Sequence, residues 1–600
     1  MDADPSEDIL LARRQLHTLK DYKLLEDLKW HEETGRWILK CQLTHSSRHE
    51  LVPPVTQWVI LIDPNYPHGS IQVHPAAKGG LTHTFPHQTY NAPGKYEWRT
   101  GNLCLEDHLL ALGRNRLSEE VRNATGRLKW HVQRALIWLG YAANDRLLAK
   151  GQPLELPPLP PSPANELIAF QENEQSYISW KGSTNSSGYA EFSFLNPLTL
   201  ILRRFTTHQG EELLSPKWGT SITELPTERS VAMWIQIKEL PTHVAWHLPS
   251  TWGQLVEVLQ RQDIDLLEAL SRGVMRSQSR QPSVLLLGFP IMDLIGDQPS
   301  QLHWMALRLP EWSTATTIRP GWRHTPKSLW KHDQATKLRP HLPLTWLKSE
   351  NWATEQISTR GKASATLRTQ RVAIIGVGAL GSLVAEALIR LGVHQVLLVD
   401  GDTITAGNLV RHNLSMTDVG KNKAHALAEK LNAAGPHATV TAQLGQFPPV
   451  QEDDIQNLQT CTVIIDCTAE DQVAQDMGSF DWRTPKLFIS CSVSIRALRL
   501  YLFTELGTSF SVSKFDEYHR EWIQADVAVN KMDFPREGIG CWHPVFPARF
   551  DDFLLWSAVT ARHLEAVLKQ PAVDAQLSVY EQQPGDYGIN NVRLISNELD

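Results

Sequence analysis

Two cysteines sit where a thiol could act as a nucleophile. Cys104 lies in "GNLCLEDH", just past Gly101 and Asn102. Cys541 lies in "EGIGCWHPVFPA", after Gly538 and Gly540 and two residues before His543. Glycine and asparagine favour turns and exposed loops, so both thiols read as accessible rather than structural. An imidazole beside Cys541 favours its thiolate. Cys461, Cys467 and Cys491 fall in apolar, strand-like runs and read as core. A thiolate at such a position captures an activated acyl group as a thioester, so something in the chain must activate one.

The segment "GVGALG" supplies Gly376, Gly378 and Gly381 between an apolar run and a helical pattern. Glycines so placed let the backbone turn tightly and approach a phosphate at a helix N-terminus. Asp400, ending the next apolar run, is placed to accept from ribose hydroxyls. By itself this pattern fits an NAD dehydrogenase as well as an ATP site. The segment "DGDTITAGNLVRHNL" and the following "VGKNKA" then bring Asn408, Arg411 and Lys423 into one crossover. Nicotinamide needs no such cluster, whereas an Arg and a Lys neutralise charge on a leaving pyrophosphate. ATP is the ligand these residues imply. The acids of "DCTAED" offer oxygen ligands for magnesium, with Asp466, Glu470 and Asp471 all open candidates.

The elements that must position these groups form three parts, about residues 1–160, 165–365 and 366–600. A proline-rich segment, "GQPLELPPLPPSPANE", marks the first boundary, because it cannot continue a helix. The polar stretch "SENWATEQISTRGKASATLRTQ" marks the second. In the first part a helix, "SEDILLARRQLHTL", precedes strands in "GRWILKCQLTH" and "TQWVILIDPNYPHGSIQVHP". The Cys104 loop follows, and "RLKWHVQRALIWLGYAANDRLLAK" closes the part as helix, an α+β order. The middle part, with "HVAWHLPSTWGQL" and "SQLHWMALRLPEW", is tryptophan-rich and mixed but mainly β, without acid–base pairs or metal spacing. The last part alternates apolar strands ("RVAIIG", "QVLLVD", "CTVIIDCT", "KLFISCSVS") with helices, one of them "NKAHALAEKLNAAG" capped by Gly435. That pattern predicts a doubly wound, Rossmann-like α/β domain.

A net charge of −7 provides no global field for nucleic acid. The acidic start is unlike a secretory signal, and the apolar run "VLLLGFPIM" is far short of the ~20 residues of a membrane helix. Six scattered cysteines without C-x-x-C predict no structural zinc and a reducing, cytoplasmic setting. No membrane or nucleic-acid partner is expected.

The order G-x-G-x-x-G, D-x-D (Asp400, Asp402), N-L-x-R-H, lysine, D-x-T resembles the ThiF/MoeB and ubiquitin-activating-enzyme family from about Arg360 onward. The resemblance implies ATP-dependent adenylation of a protein's C-terminal carboxylate. It places Asp400 on ribose, Asn408 and Arg411 on the phosphates, and Lys423 on the triphosphate. Arg360, in "STRG", resembles the arginine that reaches a partner subunit's ATP, which implies a homodimer. The family's D-x-T-D-N is altered, with Ala469 and Glu470 in its last two places. Residues 5–155 resemble the ubiquitin-conjugating fold, where a Tyr-Pro turn precedes a G-x-L-C-L strip. Its His-Pro-Asn tripeptide is absent, and Tyr96 stands where the asparagine would lie. Asn91 or Asn102 is the candidate oxyanion donor, and His83 or His87 the candidate assistant.

A conjugating module ahead of an activating one resembles the bacterial conjugation enzyme of CBASS anti-phage operons, on "GQPLELP", "ENWATEQISTRG", "GNLVRH" and "GCWHP". That resemblance implies a cGAS/DncV-like nucleotidyltransferase as the activated protein, joined to lysines of acceptor proteins. The end "RLISNELD" lacks the small residues of a ubiquitin-like tail and is not expected to be the modifier. The expected sequence is adenylation, capture on Cys541, transfer to Cys104, then attack by lysine. Two other classes stand beside it: a ThiF/MoeB-type activator of a sulfur carrier or ubiquitin-like protein, and a non-catalytic Rossmann scaffold.

Overall fold

Alternating and helical apolar periods organise two separate units: Met1–Pro216 with Thr227–Asn351, and Lys217–Pro226 with Trp352–Asp600. The computed structural model describes residues 4–105, 120–226, 229–276, 282–529, 536–537, 543–570, 574–586 and 588–597. Cys541 lies outside the described residues.

The first unit opens with helix α1 (Glu7–Gln15), started by Ser6, whose side chain accepts from the Ile9 amide. Strands β1 (Tyr22–His31), β2 (Arg36–Thr44), β3 (Val55–Ile62) and β4 (Ile71–Pro75) form an antiparallel meander in chain order. In β2 the residues Trp37, Leu39, Cys41 and Leu43 alternate into the core, as a half-buried strand requires. Helix α2 (Arg127–Ala142) lays Leu128, Val132, Ala135 and Leu139 on that sheet's core. Between β4 and α2 the chain folds back on itself. Gln88 bridges Leu103, and the amide of Thr89 donates to the Asn102 carbonyl at 2.9 Å.

The proline-rich segment has no regular structure, but it is tied down. Leu154 donates to Asp293 and Gly151 to Ile295, at 3.2 and 2.8 Å. After it comes an eight-stranded mixed sheet in the order β5 (Leu167–Phe170), β12 (Thr345–Asn351), β11 (Gln301–Arg308), β10 (Val284–Ile291), β9 (Arg229–Gln236), β6 (Ser187–Asn196), β7 (Thr199–Thr206), β8 (Glu212–Leu214). A further parallel pairing of β5 with β7 closes seven of these strands on themselves, which leaves β5 without a free edge. Helix α3 (Glu174–Gly182) carries Trp180 to Trp234 and Trp304. The indole N–H groups of Trp180 and Trp304 both donate to the buried Glu172 carboxylate, at 2.9 and 2.8 Å. Helices α4 (Trp252–Gln260), α5 (Leu266–Arg276) and α6 (Pro326–Thr336) complete the unit.

The second unit is built on a sheet in the order β15 (Thr439–Gln443), β14 (Gln395–Val399), β13 (Arg371–Ile375), β16 (Val463–Asp466), β17 (Lys486–Val493), β18 (Arg499–Gly507), β21 (Gln576–Gly585), β22 (Gly588–Asn597). The first five strands are parallel, joined by α7 (Ala379–Arg390), α8 (Lys423–Asn432), α9 (Glu452–Gln459) and α10 (Asp471–Ser479). This is the expected Rossmann-like half. The last three strands run antiparallel. A connection of five residues after β17 is too short for a crossover, so β18 must return beside it. Helix α8 ends at Asn432, before Gly435, so that glycine does not cap it. Helices α11 (Val512–Val529) and α12 (Phe550–Lys569) follow β18, with two-residue strands β19 (Arg536–Glu537) and β20 (His543–Pro544) between them. The inserted segment 217–226 is anchored within this unit: Trp218 stacks on His437, and Gly219 donates to Pro436 at 2.8 Å.

Candidate active site

The parallel strands reverse their order between β13 and β16, and a cavity of about 320 Å³ opens at their carboxyl ends. Ligands of open α/β sheets bind at such a switch point. The loop after β13 makes one wall. Gly376 has φ +78°, and a Cβ there would sit 2.6 Å from Thr468 Cγ2. A Cβ on Gly381 would sit 2.0 Å from the Gly376 carbonyl oxygen. Gly378 differs: nothing lies within 4 Å of its Cβ position, and it lines the cavity as the N-cap of α7. Two glycines shape the loop and the third leaves room beside a helix N-terminus.

Asn408, Arg411 and Lys423 line the same cavity. Arg411 Nη1 donates to the Phe546 carbonyl at 2.7 Å. The chain therefore returns to this wall five residues after Cys541. Lys423 Nζ is 2.8 Å from Asp402 Oδ2, so Asp402 orients the lysine. Asn408 Oδ1 accepts from the Thr405 amide at 3.0 Å, which fixes the short turn that carries Arg411. Asp400 accepts from the amides of Val377 and Asp402, at 2.9 and 2.8 Å. Burial raises its pKa above the usual carboxylate value, chiefly by desolvation.

His412 was not among the sequence candidates, since a lone histidine in "NLVRH" carries no signal of its own. Its Nε2 donates to the Val377 carbonyl at 2.7 Å, and its Nδ1 accepts from the Leu414 amide at 3.1 Å. Those two bonds require the neutral ring, and burial pushes its pKa down to about 4. It holds the glycine loop against the Arg411 turn. Cys467 and Cys491, read as core, also line the cavity, Cys467 half-exposed and Cys491 buried.

The expected magnesium ligands are placed differently. Asp466 is buried, with Oδ1 accepting from Thr468 and Oδ2 from Ser490 Oγ at 2.8 Å. Asp471 is exposed in the first turn of α10, and neither acid lines the cavity. Among the described residues no group of three or more His, Cys, Asp or Glu is placed to hold a metal ion. Arg360 is exposed in a turn before β13 and does not line the cavity of its own chain.

In the first unit Cys104 is exposed between the buried Leu103 and Leu105. Its amide donates to the His87 carbonyl at 2.9 Å. The His87 ring is bracketed by two acceptors, Glu155 Oε2 at 2.7 Å from Nδ1 and the Leu147 carbonyl at 3.1 Å from Nε2. Both nitrogens must then carry hydrogen, and the Glu155 carboxylate raises the imidazole pKa. Glu155 lies in the proline-rich segment, 68 residues from His87, a separation no local motif reveals. Asn91 is buried and both hydrogens of its amide are engaged, by the Leu81 and His83 carbonyls at 2.9 Å each. It has none left for an oxyanion. Asn102 Oδ1 accepts from the Val73 amide at 2.9 Å, while His83 lines a separate cavity. No helix among the described residues is long and apolar enough to cross a membrane.

Comparison with known proteins agrees with this geometry. Residues 145–352 match the Cap2 central linker domain, and residues 349–493 match the ThiF family. The molybdopterin-synthase adenylyltransferase of Salmonella typhimurium is 29% identical over 130 residues, 21% of this chain and 51% of that one. An adenylyltransferase and sulfurtransferase, uba4, of Emericella nidulans is 39% identical over 103 residues, 17% of this chain and 21% of that one. The ATP-dependent ubiquitin transferase-like protein Cap2 of Enterobacter hormaechei subsp. hoffmannii is 38% identical over 510 residues, 84% of each chain. The chain belongs to the Cap2 family of ATP-dependent ubiquitin transferase-like proteins, with a ThiF adenylation domain.

Proposed function

We propose that this protein joins the C-terminus of a partner protein to lysines through an adenylate and two thioesters. The observation that carries the reading is the cationic cavity at the switch point, where Arg411 and Lys423 meet a glycine loop open at Gly378. ATP lies there with its phosphates against Gly378, Asn408 and Arg411 and its ribose at Asp400. A carboxylate oxygen of the partner's C-terminus attacks the α-phosphorus, and pyrophosphate leaves as Arg411 and Lys423 neutralise its charge. Bound magnesium would supply charge neutralisation on the nucleotide's phosphates. Arg360 acts in the cavity of a second copy within a homodimer.

The Cys541 thiolate attacks the acyl carbonyl and AMP leaves, giving a thioester. Cys104 then takes the acyl group by thiol exchange and returns Cys541 to the thiol. A lysine amine of the acceptor attacks last, forming an amide and releasing Cys104. The meander, the exposed Cys104 and the closing helix support a ubiquitin-conjugating-like module for this last stage. The partner we infer is a cGAS/DncV-like nucleotidyltransferase in bacterial anti-phage defence, acting in the cytoplasm. A ThiF/MoeB-type activator that stops at the adenylate is the second reading, favoured by the match to the molybdopterin-synthase enzyme. Partner-dependent exchange of labelled pyrophosphate into ATP, lost in Arg411→Ala, tests the adenylation step. Exchange at the wild-type rate in that variant overturns the placement of the phosphates.

A further inference from the structure

A second cavity of about 320 Å³ lies in the first unit, between the loop 82–99 and the segment that begins at His243. The proposed reaction uses none of it. His83, His243, His247 and Arg99 line it, and among the described residues no carboxylate does. Glu257, which is 63% exposed, pairs with His243 Nε2 at 3.1 Å. Arg99 is held firmly, its Nε donating to Asn91 Oδ1 at 3.0 Å and its Nη2 to the Thr82 and Asn91 carbonyls at 3.2 and 3.1 Å. All those acceptors are neutral, so the guanidinium charge is fixed in place without being cancelled.

The opposite wall is equally built. The His243–His247 turn passes through Ala245 at φ +50°, and the Trp246 amide donates to the Thr84 carbonyl at 3.0 Å. His247 Nδ1 is 3.0 Å from Thr84 Oγ1 and its Nε2 2.6 Å from Tyr90 Oη. Arg261 adds a positive charge behind the turn, donating to the His243 carbonyl at 3.0 Å. Burial lowers the pKa of His83 and pushes His247 down to about 4, with the neighbouring cations of the cluster adding to both effects. Crowded basic groups without an acid among the lining residues are a poor environment for charge, and a bound anion reverses that cost. A metal ion is a worse match. Both ring nitrogens of His247 are engaged, and the Arg99 guanidinium repels a cation.

We propose that this cavity binds a phosphate monoester or free phosphate, held by Arg99 with His83 and His243. The volume exceeds what one carboxylate needs, and a phosphate carries up to two charges for a guanidinium and imidazoles to neutralise. The bound anion cross-braces the loop that carries Cys104. The Cys104 amide donates to the His87 carbonyl, and Tyr90 lies three residues further along the same loop. This site stands whether or not the thioester relay does.

Calorimetry on the full chain carrying Arg411→Ala, which weakens phosphate binding in the other cavity, tests the proposal. Inorganic phosphate and AMP are the probes. Saturable binding with proton uptake is expected, tighter near pH 6 than near pH 8, because a bound anion raises the His83 pKa that burial lowers. Arg99→Gln and His83→Asn should each weaken it about tenfold, with the melting temperature of His83→Asn unchanged. His83→Asn decides the matter if Arg99→Gln unfolds, because His83 makes fewer bonds to the fold. Equal affinities for both probes identify free phosphate as the source, and AMP binding tenfold tighter identifies a nucleotide. Absence of saturable binding overturns the proposal, as does binding indifferent to His83→Asn. Binding of a glutamate-rich peptide but neither phosphate probe also overturns it, in favour of an acidic protein segment.

Discussion

Gly376 and Gly378 stand two residues apart in one loop, and their replacement by alanine should fail in opposite ways. At Gly376 the backbone is left-handed, φ +78°, which costs an L residue about 1–2 kcal/mol. The added Cβ also meets Thr468 Cγ2 at 2.6 Å and the Thr468 amide nitrogen at 3.0 Å. Thr468 cannot yield freely, because its amide and hydroxyl both bond Asp466, at 3.0 and 2.7 Å. Overpacking of this kind costs about 1–3 kcal/mol, so Gly376→Ala should destabilise the second unit by about 3 kcal/mol. For a unit of this size that lowers its melting temperature by about 6–12 °C. Gly378 has a negative φ of −70° and no atom within 4 Å of its Cβ position. Gly378→Ala should melt within about 2 °C of wild type, yet the methyl group projects into the cavity where a phosphate must approach. ATP affinity should fall at least about tenfold, or ~1.4 kcal/mol. Scanning calorimetry and equilibrium ATP binding on both variants separate the two effects. Gly378→Ala that binds ATP like wild type would refute the placement of phosphates at this helix N-terminus.

Two further outcomes follow from titratable groups of the first unit whose pKa values are raised. Desolvation pushes Glu172 up to about 7 from its ordinary 4.5. A raised carboxylate pKa contributes stability below about pH 4.5 that is lost as pH rises through 7, about 3 kcal/mol in all. Glu172→Gln keeps an acceptor for both indoles and should flatten that loss, seen as a higher melting temperature near pH 8. A variant less stable than wild type at that pH counts against it. His87 is raised by Glu155, so their pair contributes stability that is complete below the ordinary imidazole pKa and lost above the raised one. Glu155→Gln should move the His87 midpoint down in a histidine proton NMR titration, and an unmoved midpoint means the Glu155 contact is absent in solution.

The switch-point cavity was legible because its parts are local in sequence. Glycines after a strand, then Asn408, Arg411 and Lys423 within one crossover, needed only the Rossmann-like connection to converge. His87 and Glu155 were not legible as a pair, since they stand 68 positions apart in the chain. Asn91 was a reasonable oxyanion donor from its place near Cys104, but its amide serves the 81–83 loop instead. Asp466 ends β16, and the partners its oxygens accept from, Thr468 and Ser490, include a residue from the next strand that no local pattern names. Residue type at a strand end indicates capability. Which partner claims the group depends on packing that no local pattern encodes. The closure of the middle sheet through β5 and β7 was hidden for the same reason, because it joins strands by register rather than by motif.

Non-reducing electrophoresis of the two cysteine variants, incubated with ATP and the activated partner, tests the relay most directly. Cys104→Ala should still form a reducible adduct, held on Cys541. Cys541→Ala should form none at either position, because Cys104 receives its acyl group only from Cys541. Loading of Cys104 in Cys541→Ala at the wild-type rate would contradict the account and leave Cys541 without a place in the transfer.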